Sequence, residues 1–241
     1  MNIKGKENRM KRNNTIGIVG RIASAPELIL DAKDWKQKVY ETKLSRIRAN
    51  GKEDVFTLRF AGHAAGTEEM TRQVSEGVEV LVGGSILSEN VHNPKPEESK
   101  VITYINAEIM AVNNPPADQQ NEVELKGRVC RPPYNRKSNY QKKESGKKIR
   151  VTEFLLAVNT RDGASYIPCV CKGDEAVQAN ELKVGDYVKI YGFYKSRTFK
   201  KRIEGKKIPF LRTTHEIHVL KLKVSKEYDK KEDTRKEEGD V

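Results

Sequence analysis

The sequence predicts an all-β protein, with one short helix in each of two tandem five-stranded domains. Three observations carry this prediction: short segments of alternating apolar and polar residues, an internal repeat of those segments, and a polar, proline-bearing stretch between the two copies. Alternation with a period of two is typical of half-buried strands. Because only 36% of the residues are hydrophobic, the core must come from these segments.

The repeat has three anchors that follow in the same order in both copies. The first strand of each copy carries a Gly-Arg pair, Gly20-Arg21 and Gly127-Arg128. The fourth strand of each copy lies between two glycines seven residues apart, Gly77 and Gly84 or Gly185 and Gly192. A spacing of 24 residues then leads to a Glu-Ile pair, Glu108-Ile109 or Glu216-Ile217.

The elements between these anchors also match. Strand two is expected at 40–47 and 152–159, and strand three at 55–61 and 166–172. A short helix or loop follows at 67–75 and 175–182, and a hairpin of strands four and five ends at 112 and 222. Five strands with a helix between the third and fourth is the order of the OB fold. The sequence therefore predicts two tandem five-stranded OB-fold barrels.

Composition divides the chain into five segments. These are a basic, flexible N-terminus (1–12), a first barrel (13–113), a linker (114–121), a second barrel (122–223) and a charged, disordered tail (224–241). The linker is assigned from its Pro-Pro pair and polar residues, and the tail from its near lack of apolar residues.

The net charge of +12 favours a polyanionic partner, which is nucleic acid or an anionic membrane surface. No apolar run is long enough for a spanning helix, and the polar N-terminus lacks an apolar signal core. Membrane binding and secretion are therefore not expected. Three cysteines cannot all pair within one chain, so reduced thiols and a cytoplasmic location are the prediction.

The basic excess is concentrated in the second barrel. Residues 13–113 carry a net charge of −2, whereas residues 122–223 carry +13. Within the second barrel, two segments each hold eight basic residues and one acidic residue, at 131–150 and 195–212, with aromatic residues interleaved. In the OB order these are the loops that flank the binding face. Cations that follow phosphates, together with aromatic rings that stack on bases, are typical of single-stranded nucleic-acid binding.

In these residues the second barrel resembles the bacterial single-stranded-DNA-binding proteins, the SSB family. The resemblance lies in Glu122-Val-Glu-Leu-Lys-Gly-Arg-Val129 with its following prolines, in Val188-Lys-Ile-Tyr-Gly-Phe-Tyr-Lys-Ser-Arg-Thr-Phe199, and in Arg212-Thr-Thr-His-Glu-Ile217. It extends to the tandem two-barrel form found in low-GC Gram-positive bacteria and their mobile elements. The resemblance implies sequence-tolerant binding of single-stranded DNA in replication, recombination or mobile-element transfer.

The resemblance also implies the roles of individual residues. Tyr166 and Phe199 match positions where the family stacks bases. Lys172 replaces an aromatic residue of the family, so a phosphate contact is expected there instead. With the basic loops, the candidate DNA-binding set is Arg131, Tyr134, Arg136, Lys137, Tyr140, Lys142, Lys143, Lys147, Lys148, Tyr166, Lys172, Lys195, Arg197, Phe199, Lys200, Lys201, Arg202, Lys206 and Lys207.

The first barrel departs from the family pattern. Its matching positions are Val55, Ala61 and Val91, none of which is aromatic. Together with its negative charge, this predicts a degenerate binding face, with Trp35 as the one candidate for stacking. Self-association of the chain and partner binding by this barrel are left open.

Two alternatives remain beside DNA binding: an adaptor in a replication-restart or conjugation complex, and an RNA-binding protein, because stacking alone does not distinguish the sugars. Replication or conjugation proteins are then candidate partners, although the tail lacks the terminal phenylalanine by which the family recruits partners. No constellation of nucleophile and base, metal-ligand spacing or phosphate-binding loop stands out. An enzyme, a metal site and a cofactor are therefore not expected.

Overall fold

The computed structural model of the protein describes residues 13–92, 101–113, 120–136, 149–160, 163–201 and 209–225. The predicted N-terminal segment, most of the linker and the tail from residue 226 lie outside these residues. We call β1–β6 the first half and β7–β12 the second half.

Six strands form the first half, with a helix between the fourth and fifth. They are β1 (Asn14–Ile22), β2 (Glu27–Leu30), β3 (Val39–Ile47), β4 (Glu53–Ala61), β5 (Glu79–Asn90) and β6 (Val101–Val112), and the helix is α1 (Glu68–Gln73). β1 pairs with both β3 and β5, β3 pairs with β4, β4 pairs with β6 in parallel, and β6 pairs with β5. These five pairings close a barrel.

The second half repeats this arrangement. Its elements are β7 (Asn121–Val129), β8 (Tyr134–Arg136), β9 (Val151–Thr160), β10 (Gly163–Lys172), α2 (Asp174–Asn180), β11 (Tyr187–Lys201) and β12 (Phe210–Ser225). β7 pairs with β9 and β11, β9 with β10, β10 with β12 in parallel, and β12 with β11. Two tandem OB-fold barrels with one short helix each are thus observed, as predicted.

The structure differs locally from the sequence prediction in short additional strands and in strand ends. The short strands β2 and β8 lie where only a loop was expected, and each adds to the outer edge of its barrel by pairing with β3 or β9. β7 already begins at Asn121, the last residue assigned to the linker. Asn121 pairs with Ile18 of β1, and its side chain exchanges two hydrogen bonds with the backbone of Tyr194 at 2.8 and 3.0 Å.

The cores are built from the alternation that the sequence showed. In β1, Ile16, Ile18 and Ile22 are buried, and Val123, Leu125 and Val129 are their counterparts in β7. β5 and β11 each bend where their pairing with the last strand of the barrel shifts, beside Gly84 and beside Gly192. A Cβ atom on either glycine would lie 2.1 Å from a carbonyl oxygen of the last strand, so only glycine allows this close approach.

One anchor of the sequence repeat was wrong. Ile105 lies beside Leu58 in the first barrel, and Ile217 lies beside Cys169 in the second. The counterpart of Glu216 is therefore Tyr104, not Glu108. The hairpin of the second barrel is longer by four residues than that of the first, so the equal spacing of the two Glu-Ile pairs was a coincidence.

The two barrels share one continuous 12-stranded sheet through the antiparallel pairing of β1 with β7. Ile16 faces Val123 in this pairing, and these two residues occupy equivalent positions of the repeat. A residue that faces its own equivalent marks a two-fold axis. The chain thus arranges its two halves as a symmetric dimer would, with an approximate two-fold axis between Ile16 and Val123.

The second contact between the halves is aromatic. The fully buried ring of Tyr194 in β11 stacks on that of Phe56 in β4 with 4.5 Å between centroids. Its hydroxyl lies 2.6 Å from the Thr103 hydroxyl of β6, and burial raises the pKa of the phenol well above its usual value. Tyr194 therefore fills a space between the two barrels and satisfies its polar atom there.

No helix among the described residues is long and apolar enough to cross a membrane.

Candidate nucleic-acid interface

A basic cleft of about 300 Å³ lies where the β3–β4 hairpin of the first half meets β11 of the second. Its lining includes six basic side chains and two carboxylates, those of Glu53 and Glu216. The basic residues are Arg48, Lys52, Arg136, Lys172, Lys195 and Arg197. Four of them, Arg136, Lys172, Lys195 and Arg197, belong to the set that the sequence predicted. The structure thus brings predicted residues from three different strands of the second half to one place.

Glu216 lies at the floor of this basic cleft with 4% of its side chain exposed. Arg197 Nε donates to one of its carboxylate oxygens at 3.1 Å, and His218 Nε2 lies 2.9 Å from the other. Burial alone would raise the pKa of Glu216, but the His218 and Arg197 contacts outweigh it, so the pKa lies below its usual value. The carboxylate remains ionised and orients the Arg197 guanidinium.

The two lysines of the cleft are crowded by other cations. Burial lowers the pKa of Lys195, and the charges of Arg48 and Lys172 lower it further. Burial also lowers the pKa of Lys172, with Arg136 adding to the effect. Because like charges held together repel, a bound anion in this cleft would relieve the repulsion and gain favourable contacts.

Two candidate stacking residues share the outer face of the second barrel with the cleft. Phe199 follows Arg197 on β11, and the guanidinium carbon of Arg197 lies 4.8 Å from its ring centroid. Tyr166 is 46% exposed and lies on the same face of β10 as Lys172. Tyr166 and Lys172 are six residue steps apart along β10, which corresponds to about 20 Å. Tyr166 is thus at the far end of this face, where its N–H donates to Ser88 Oγ of the first half at 2.8 Å.

The other predicted residues are not among those that line the cleft, or they lie outside the described residues. Arg131 and Tyr134 are exposed near the start of β8, and Lys200 is exposed near the end of β11. Lys201 is the last residue of β11. The remaining predicted residues lie outside the described residues: Lys137, Tyr140, Lys142, Lys143, Lys147, Lys148, Arg202, Lys206 and Lys207.

Trp35 does not join the cleft. It begins a short 3-10 turn, Trp35–Gln37, and is half-buried. Gly62 gives it room, because a Cβ atom there would lie 3.0 Å from Trp35 Cε3 and closer still to its carbonyl oxygen. The structure therefore shows Trp35 packed against Gly62 of its own barrel, and Trp35 is not among the residues that line the basic cleft.

The equivalent place in the first half is electrostatically balanced. By the register of the repeat, Leu87, Glu89 and Ala61 stand where the second half has Lys195, Arg197 and Lys172. The guanidinium of Arg59 contacts Glu41 at 2.7 Å and Glu89 at 2.6 Å in this region. The pseudo-symmetric halves thus present one basic face and one compensated face.

Sequence reasoning missed Arg48 and Lys52 as members of the cleft. Both lie on the β3–β4 hairpin, whereas the first half as a whole is acidic. The local signal was the basic cluster of Arg46, Arg48 and Lys52 around that hairpin. Summing charge over whole domains concealed it.

Comparison with known proteins gives the fold. The chain is similar to the wild-type single-stranded DNA binding protein from Thermus aquaticus, with 16% identity, a TM-score of 0.65, and coverage of 89% of this chain and 94% of that chain. A deletion mutant of the same protein, which also carries one substitution, matches with 18% identity and a TM-score of 0.65, covering 89% and 95% of the two chains.

A third structure matches less than half of the chain. The N-terminal domain of PriB from Thermoanaerobacter tencongensis matches 43% of this chain, with 20% identity and a TM-score of 0.34. No protein-family model matches the chain, and no curated protein matches it. The tandem two-barrel architecture is therefore what these comparisons establish.

Proposed function

We propose that the protein binds single-stranded DNA in a sequence-tolerant manner and does so chiefly through its second half. The observation that carries this proposal is the basic cleft, in which Lys172, Lys195 and Arg197 converge beside Phe199 on one outer barrel face. Such a face suits a flexible polyanion with exposed bases, because cations contact the phosphates while rings stack on the bases.

The binding chemistry follows from the geometry. Arg197 has its guanidinium oriented by Glu216, whereas the lysines act as point charges that tolerate a variable backbone path. Phe199 and Tyr166 offer ring faces, each of which contributes roughly 1–3 kcal/mol when it stacks on a base. Stacking does not select a particular base, so the resulting binding is sequence-tolerant.

The similarity to the Thermus aquaticus single-stranded DNA binding protein supports this proposal through the shared tandem architecture. We propose a role in protecting single strands during replication, recombination or mobile-element transfer. Binding rather than catalysis is the proposed activity, and the domain bounds of 13–113 and 122–223 stay part of the proposal.

Binding of full-length protein to fluorescent oligo-dT tests the proposal. The variant Lys172→Glu/Lys195→Glu should lose affinity by at least tenfold and show a smaller dependence on salt, because each lost phosphate contact removes about 0.7 from the slope of log K against log salt. Lys221→Glu/Lys223→Glu is the matched control, since it places the same charge change on exposed residues of β12 away from the cleft.

Phe199→Ala and Tyr166→Ala should each lower oligo-dT affinity by about fivefold to a hundredfold. Tight binding to duplex DNA but not to oligo-dT would contradict the proposal. Preference for an RNA strand over oligo-dT would favour the RNA-binding alternative. Unchanged affinity in all four cleft and stacking substitutions, with a protein partner retained, would favour an adaptor.

A further inference from the structure

The β3–β4 hairpin of the first half lies against the binding face of the second half. Its residues 48–52 connect two strands of the first barrel, yet Arg48 and Lys52 line the basic cleft together with β11. Arg48 Nη2 donates to the carbonyl oxygen of Ser196 at 2.6 Å, across the boundary between the halves. The hairpin is thus fixed to the second barrel at the middle of β11.

A buried carboxylate secures this position. Asp54, at the base of the hairpin, accepts hydrogen bonds from the Ser196 N–H at 2.7 Å and the Ser196 hydroxyl at 2.9 Å. It also pairs with Arg48, whose Nε lies 2.7 Å from the other carboxylate oxygen. Burial opposes ionisation of Asp54, but Arg48 and Ser196 outweigh it and hold its pKa below the usual value. The hairpin is therefore held rigidly rather than resting on the surface.

This anchorage leaves Lys52 at the rim of the cleft. Its backbone closes the hairpin, since Arg48 N–H donates to Lys52 O at 2.8 Å. Its side chain is exposed, and its ammonium group makes no ion pair with any described residue. Arg48 is occupied by Asp54 and Ser196, so Lys52 is the cation of the hairpin that is available to a ligand.

Around the pseudo-two-fold axis, the corresponding contact of the first half involves different residues. The start of β10 in the second half contacts β5 of the first half, where Leu87 and Glu89 replace Lys195 and Arg197. There, Ser165 and Ser88 form the contact that Asp54 and Ser196 form on the other side. Among the described residues, a carboxylate-anchored hairpin therefore accompanies the basic face, whereas a pair of serines accompanies the compensated one.

We propose that Lys52 contacts a phosphate of the single strand that lies in the basic cleft, so that the first half completes the binding site of the second. This inference rests on the proposed function. It assigns to the first barrel a direct part in binding, although its own outer face is compensated. Arg48 is a positioning residue here, because it acts by fixing the hairpin.

Salt titration of oligo-dT binding by the full chain tests this. Lys52→Ala should lower affinity by roughly threefold to tenfold and reduce the salt slope by about 0.7, as expected for one lost phosphate contact. Lys52→Glu should lower affinity further, and Lys52→Arg should restore most of it. Lys33→Ala removes an exposed lysine of the same half outside the cleft, and it should leave both quantities unchanged.

The outcomes separate this inference from the proposed function. If Lys172→Glu/Lys195→Glu weakens binding while Lys52→Ala matches the wild type in affinity and slope, the contact by the first half is refuted and DNA binding stands. An equal effect of Lys52→Ala and Lys33→Ala also refutes it, because a diffuse field of charge would then be the cause. If the wild-type protein does not bind oligo-dT, both proposals fail.

Discussion

Removal of the Tyr194 side chain should destabilise both barrels together. The ring is completely buried between β11 and Phe56 of the first half. Truncation of a buried aromatic residue to alanine costs about 3–5 kcal/mol. For a chain of this size, that is on the order of 10 °C in Tm. Tyr194→Ala should therefore unfold well below the wild-type temperature.

Urea and thermal unfolding followed by Trp35 fluorescence provide the assay. Trp35 is the only tryptophan and lies in the first half, whereas Tyr194 lies in the second, so a shift of the Trp35 transition reports coupling between halves. Tyr134→Ala, at an exposed tyrosine of the second half, is the control and should change stability by less than about 0.5 kcal/mol. A Trp35 transition that stays at its wild-type midpoint in Tyr194→Ala would refute the coupling.

The hydroxyl contact can be tested separately by a double-mutant cycle. Tyr194→Phe and Thr103→Val should each cost about 1–3 kcal/mol, because each leaves a buried hydroxyl without its partner. The double variant should cost clearly less than the two single losses combined. Additive losses would mean that the two hydroxyls do not stabilise each other.

Three further predictions concern stability and reactivity. Burial lowers the pKa of His215 and of His218 below the ordinary 6.5, so the unfolded chain binds protons more readily. In urea titration, these two groups should lower the stability as the pH falls from about 6.5 towards their folded pKa values, and their contribution should stay constant below those values. Gly192→Ala should cost about 1–3 kcal/mol in the same titration, because its Cβ would meet His218 O. In native protein, a thiol reagent should label Cys130 first, since Cys169 and Cys171 are buried with raised pKa values; rapid labelling of all three would contradict the fold.

Local sequence patterns were sufficient to predict the two barrels. Alternation placed the strands within a few residues. The sequence also matched Tyr166 with Val55 and Lys172 with Ala61. The same offset relates Cys169 to Leu58, and these two residues pair with equivalent isoleucines, Ile217 and Ile105. The Glu-Ile anchor failed because a hairpin can lengthen without changing the barrel, so spacing across it need not match between repeats. β2 and β8 were not predicted, because edge strands of three or four residues are too short to show alternation.

The cleft could be predicted only in part, because it depends on how the barrels meet. The pairing of β1 with β7 uses an edge that alternation does not reveal, since each strand already has partners inside its own barrel. Tyr194 resembled any other buried strand residue, although its ring reaches the neighbouring barrel. Without this docking, Arg48 and Lys52 belong to an acidic domain, and only the assembled structure brings them to Lys195.

Covalent linkage of the two barrels has a consequence for the direction of a bound strand. Two identical subunits about a two-fold axis would present the same groups to a strand entering from either end. Here Leu87 and Glu89 on one side correspond to Lys195 and Arg197 on the other, so the two ends of a strand crossing the axis would contact different side chains. A nucleic-acid chain also has distinct ends, so under the proposed function this asymmetry would favour one 5′-to-3′ direction of the bound strand without selecting the order of its bases.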